Sequence, residues 1–123
     1  MHEIEAFVRQ HAPRHPELLR QVHWPEVRAI AKRECIAVRR VPLSRPGRLV
    51  RFGGAWEIQI SDELDLTARA VVGVHELVHY WRDRLDESAI YSASEEWERD
   101  PKEDFANVVA WYLTSPNRHA RSV

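Results

Sequence analysis

The chain has 123 residues, a formal net charge of −1, 44% hydrophobic and 30% charged positions, and a single cysteine, Cys35. That length suffices for one domain burying roughly two-thirds of its unfolded surface without disulfides. A near-zero charge gives no global pull towards nucleic acid or an anionic membrane, and a lone cysteine excludes an internal disulfide and fits a reducing compartment. No apolar run is long enough to span a bilayer, and MHEIEAFVRQ lacks the apolar core of a signal peptide, so a cytoplasmic protein is expected.

Charge is unevenly distributed. Arg28, Lys32, Arg33, Arg39, Arg40, Arg45, Arg48 and Arg51 make the first half basic, and Asp83, Asp86, Glu87, Glu95, Glu96, Glu98 and Asp100 make the third quarter acidic. The simplest reading is solvated faces of a soluble protein, with no direct nucleic-acid contact.

In chain order, Glu3 to Gln10 is weakly helical and stops before Pro13 and Pro16. Pro25 opens a second helix to about Glu34, with Val27, Ile30 and Ala31 on its buried stripe. The period then changes: Ile36, Val38 and Val41 mark a short strand, and Pro42 to Gly47 a loop. LVRF-GG-AWEIQI reads as a hairpin turning at Gly53-Gly54, with Trp56, Ile58 and Ile60 towards the core and Glu57 and Gln59 towards solvent. Two longer helices follow, Thr67 to Arg84 and Pro101 to Ser115, joined by an acidic connection. Pro116 closes the second, and residues 117–123 are expected to fray. The whole is read as one domain, 1–123.

The third helix contains GVHELVHYW, residues 73–81. A shuffled chain of this composition would contain H-E-x-x-H roughly four times in a hundred, so the setting must decide. On a helix His75 and His79 leave the same side one turn apart, the placement two nitrogen ligands of one metal need. Glu76, offset from them, is placed to accept a proton from an activated water. The alternative is a pair of surface histidines. Ala68, Ala70, Val71, Val72 and Val74 argue instead for a buried helix, where polar groups need a reason.

A catalytic zinc site takes a third protein ligand, and Glu103 is the candidate. It shares one face of the fourth helix with Ala106, Asn107, Ala110 and Thr114, while Phe105, Val108, Val109 and Tyr112 cover a second face expected to be buried. Asp100-Pro101-Lys102-Glu103 is equally close to a capping box, in which Glu103 would only close the helix start. Glu95, Glu96 and Glu98 are fallback ligands.

HELVHYW followed by EDFANVVAWYLTSP (103–116) resembles the ImmA/IrrE zinc peptidases, in which an HELGH-type helix is coupled to a helix of form E-x-x-A-N-x-F-A-x-x-L-L-M-P. The resemblance covers about residues 24–116. It implies an α+β, zincin-like minimal metallopeptidase with N-terminal helices, a small three-stranded antiparallel sheet or hairpin, and an HExxH helix packed on the helix carrying the third ligand. It also implies Zn²⁺ held by His75, His79 and Glu103, Glu76 as general base and acid, and Asn107 hydrogen-bonding a ligand histidine. Trp56, Glu57, Ile58, Gln59 and Ile60 would form the edge strand along which a peptide pairs. Val78 departs from the family's small residue, Val109 from its Phe, and Thr114-Ser115 from its Leu-Met. The implied function is a zinc-dependent endopeptidase acting on a specific protein, such as a helix-turn-helix repressor of a prophage, mobile element or stress operon.

Candidates for an oxyanion-stabilising group are Tyr80, Tyr91, Tyr112 and His119. Two other readings stand beside the peptidase. One is a non-catalytic zincin-fold module that grips a partner or serves in a toxin–antitoxin pair, with some of the five tryptophans at an interface. The other is a deformylase-like hydrolase using Cys35 as a ligand, against which stands Cys35 as a small buried hydrophobe.

Overall fold

The computed structural model describes residues 2–83 and 101–116. Among these lie four α-helices, α1 (His2–His11), α2 (Trp24–Arg33), α3 (Leu66–Asp83) and α4 (Pro101–Thr114), a 3₁₀ turn (Pro16–Leu19), and three strands, β1 (Ile36–Val41), β2 (Gly47–Phe52) and β3 (Ala55–Ser61). The expected elements are therefore present, with ends shifted by a residue or so, and Gly47 opens β2 instead of closing the loop before it.

Local chemistry explains several boundaries. The Glu26 carboxylate accepts from the His23 backbone N–H at 3.1 Å, which satisfies a donor at the start of α2. Asp65 caps α3, its Oδ1 accepting from the Ala68 N–H at 2.8 Å. At the hairpin turn only Gly53 takes a positive φ, 61°, so the conformational freedom of glycine is needed at the first turn position alone. The last turn of α4 is satisfied from far away in sequence: Val22 N–H donates to the Leu113 carbonyl at 2.8 Å, and Gln21 Nε2 to that of Thr114 at 3.1 Å.

The sheet order is β1-β3-β2, with β3 antiparallel to β2 and parallel to β1. The fold is thus α+β with a mixed sheet, not the antiparallel one expected. The hairpin was legible, but β1 pairs across the far side of β3, and the loop from Pro42 to Pro46 carries the chain over the end of that strand. Consequently β3 is central, and the expectation that Trp56 to Ile60 form a peptide-binding edge is wrong: both sides of β3 are already paired.

Centrality also corrects the burial of β3. Ile58 and Ile60 are fully buried against the helices, yet Glu57 and Gln59 on the opposite face are buried too. Their polar groups are matched across strands. Arg48 Nε donates to Gln59 Oε1 at 2.6 Å, and Gln59 Nε2 donates to Glu57 Oε2 at 2.6 Å. The Arg39 guanidinium stands 3.8 Å from Glu57 Oε1. Long side chains of the flanking strands thus cover the middle one and satisfy it.

The core lies between the sheet and the helices, with Val27, Ile30, Leu49, Ile58, Leu77 and Val109 among its buried members. α3 packs over β2, β3, α2 and α4, while α2 covers β1. The α2–α3 approach is close enough that a Cβ on Gly73 would meet Val27 Cγ1 at 2.6 Å. No described helix is long and apolar enough to cross a membrane.

Candidate metal centre

α3 is buried along Ala70, Gly73, Val74, Leu77 and Val78, and that inward stripe orients His75 and His79 towards α4. α4 meets it along Ala106, Val109, Ala110 and Leu113, all fully buried. Two alanines in this seam permit close approach, which places Glu103, in the first turn of α4, opposite the two histidines.

The three side chains converge. Glu103 Oε2 lies 2.7 Å from His75 Nε2, Glu103 Oε1 lies 3.0 Å from His79 Nε2, and the two Nε2 atoms are 3.1 Å apart. One donor atom from each residue lies within 4.8 Å of the others. A tetrahedral zinc ion with bonds of about 2.0–2.1 Å separates its donors by roughly 3.3–3.4 Å, so these groups need to spread by less than about 1 Å to hold one. Two imidazoles and one carboxylate from two helices leave a fourth position for water or substrate, the composition of a catalytic site. The donor set also suits other divalent ions.

Both Glu103 oxygens are directed at the histidines, as a shared metal would require. Hydrogen bonds from His75 and His79 hold its carboxyl far below the usual carboxylate range, against the opposing effect of burial. Glu76 is 3% exposed, and burial pushes its carboxyl up. The charges of His75, His79 and Arg45 pull it back, and that of Glu103 adds to the rise. Two carboxyl groups of one site are therefore driven in opposite directions.

Several expectations are revised. Asn107 is exposed, and no hydrogen bond joins it to His75 or His79 among the described residues. It lies one turn beyond Glu103, but the buried stripe of α4 runs through positions 106, 109, 110 and 113, leaving 107 outside the seam. Val108 and Trp111 are 52% and 59% exposed, so α4 buries one stripe and not two. Cys35 is exposed at φ 60°, ending α2 with its N–H on the Lys32 carbonyl at 3.1 Å, so it is not the buried hydrophobe expected, and among the described residues it belongs to no ligand cluster of the kind a deformylase-like role needs. Val78 is fully buried in the core. Tyr80 is buried and packs edge-on against Trp56 at 5.6 Å, and Tyr112 is half-buried. Tyr91, Glu95, Glu96, Trp97, Glu98, Asp100 and His119 lie outside the described residues.

Two features had no signal in the sequence. Arg45, in the loop between β1 and β2, is close enough for its charge to act on Glu76. A partly buried network also fastens the end of α3: Trp81 Nε1 donates to Glu34 Oε2 at 3.0 Å, His15 Nε2 donates to the same oxygen at 2.6 Å, and Arg33 donates to His15 Nδ1 at 2.8 Å. These residues are separated by up to 66 positions in sequence and carry no common motif.

A scan against protein-family models, a search of curated proteins and a search of solved structures each found no match.

Proposed function

We propose that the chain is a zinc-dependent endopeptidase. The observation that carries this reading is the convergence of His75, His79 and Glu103 from two helices, with Glu76 buried on the same helix beside them. Zinc held there would supply Lewis acidity towards a water and a carbonyl oxygen. His75 and His79 would hold the metal through Nε2, with Glu103 completing the set. Glu76 would take the proton of the attacking water and deliver it to the departing amine, a task helped by burial, which raises the proton affinity of its carboxylate. With β3 paired on both sides, an extended substrate would pair with the outer edge of β2, the margin over which α3 packs.

The substrate class, a specific protein such as a helix-turn-helix repressor, rests on the resemblance of the paired motifs HELVHYW and EDFANVVAWYLTSP. Metal analysis of purified protein tests the centre: Glu103→Gln should lose zinc and Cys35→Ser should keep it, and the reverse pattern overturns the ligand set. Glu76→Gln should keep zinc and abolish cleavage of a helix-turn-helix repressor that the wild type cleaves. Retention of full biological activity by Glu76→Gln would instead establish a non-catalytic binding module.

A further inference from the structure

The sheet margin remote from α3 carries a groove that the metal centre does not use. β1 pairs with β3 alone, so its outer edge has no strand partner among the described residues. α2 stands over that edge, and the two enclose a concavity of about 420 Å³ lined by Pro25, Arg28, Ala29, Lys32, Ile36 and Val38. Ile36 and Val38 give it an apolar floor continuous with the core. Arg28 and Lys32 form a cationic wall, exposed and one helical turn apart, with no side-chain hydrogen bond or ion pair among the described residues.

The field at this margin is positive. Between positions 28 and 48 the only acidic residue is Glu34, and its carboxylate is turned to His15 and Trp81. Arg40, on β1 itself, adds to the charge, while Arg39 stands 3.8 Å from Glu57 Oε1. A second copy pairing edge to edge would bring these cations against their own kind, which costs free energy. An extended segment bearing carboxylates meets the opposite situation. Spacing agrees as well: Arg28 and Lys32 are separated by about 6.0 Å of helix rise, and alternate residues of a strand by about 6.6 Å.

We infer that the α2–β1 groove docks an extended acidic segment of a partner protein, which adds to β1 as a fourth strand and sets alternate carboxylates against Arg28 and Lys32. Backbone pairing supplies affinity, and the two cations supply selection and register. The inference does not depend on the metal or on peptidase activity.

The probe is a blocked octapeptide of alternating Glu and Val, titrated into the full chain and followed by backbone amide NMR and hydrogen exchange. It is compared with the same peptide methylated on its amide nitrogens and with a Lys–Val counterpart. The Glu–Val peptide should perturb the amides of Ile36–Val41 and slow their exchange, and the methylated form should bind at least about tenfold more weakly. The double variant Arg28→Glu with Lys32→Glu, both at exposed positions, should weaken the Glu–Val peptide by about tenfold or more and turn the preference to the Lys–Val peptide. Equal binding of the methylated peptide would reduce the groove to an ionic patch and overturn the inference. So would a response confined to residues outside α2 and β1, no binding of the Glu–Val peptide, or sedimentation showing a dimer that the double variant abolishes.

Discussion

Gly73→Ala sets two physical effects against each other on α3. Helix propensity alone makes alanine the better residue by about 1 kcal/mol. Packing says otherwise. The added Cβ would lie 2.6 Å from Val27 Cγ1 and 3.2 Å from Trp24 Cζ3, where carbon atoms prefer about 3.5–4.0 Å. Val27 is fully buried and, being β-branched in a helix, has little freedom to rotate away. Relief therefore requires α2 and α3 to part, and overpacking of this kind costs about 1–3 kcal/mol. Packing wins by about 1 kcal/mol. With an unfolding entropy of about 2.1 cal/mol/K per residue, that lowers the melting temperature by about 4 °C in a chain of this length. Calorimetry reads it directly. The double variant with Val27→Ala isolates the cause: Val27→Ala alone should cost about 2 kcal/mol for its two methyl groups, and Gly73→Ala in that background should no longer destabilise. A melting temperature that rises on Gly73→Ala alone refutes the close α2–α3 approach and the placement of His75 that follows from it.

Other outcomes follow from the same geometry. Glu34→Gln should lower the unfolding free energy at neutral pH by about 1.5 kcal/mol, because charge-assisted bonds from His15 and Trp81 are weakened. Burial raises the Glu34 carboxyl, but those bonds and Arg14 bring it below its ordinary 4.5, so the wild-type advantage is present above pH 4.5 and is lost as pH falls through the folded value; urea titrations across that range check the sign. At the hairpin, Gly53→Val should destabilise while Gly54→Val changes little, since only Gly53 has a positive φ and neither glycine faces a neighbour within 4 Å; thermal melts of the pair decide it. Ala106→Leu should separate α3 from α4, lowering both melting temperature and zinc content, and a stable variant with full zinc would refute the small-residue seam.

What the sequence disclosed and what it concealed divide by range of interaction. Helix periodicity is local, so His75, His79 and Glu103 could be placed on facing sides of two helices before any tertiary contact was known. The hairpin was legible for the same reason, since glycine chemistry and strand alternation are short-range. The position of β1 was not. Its pairing with β3 joins Ile36 to Trp56 across twenty positions, and it alone turns β3 from an edge into the centre and buries Glu57 and Gln59. Asn107 failed because a helical face in sequence spans more arc than the seam between two helices admits. Arg45 and the His15–Glu34–Trp81 network escaped because loop cations and single buried polar residues have no periodic pattern.

The two acidic residues of the site are distinguished by placement rather than by type. Glu103 stands in the first turn of α4, where the helix dipole favours a negative charge, and each of its oxygens faces one histidine nitrogen. Its side chain is 35% exposed. Glu76 is almost wholly buried and lies outside the cluster of donor atoms, although their charges act on it. A carboxylate committed to two partners is poorly placed to carry a proton, and a buried carboxyl outside the ligand set is poorly placed to complete the metal's coordination. Under the proposed function, the division of roles between ligand and proton carrier would follow from where α3 and α4 cross. That crossing depends on Ala106 and Ala110 in the seam, with Gly73 setting the approach of α3 to α2. Chemistry at the centre and packing around it are in this sense one property of the fold: a residue too large by a methyl group in either seam alters both.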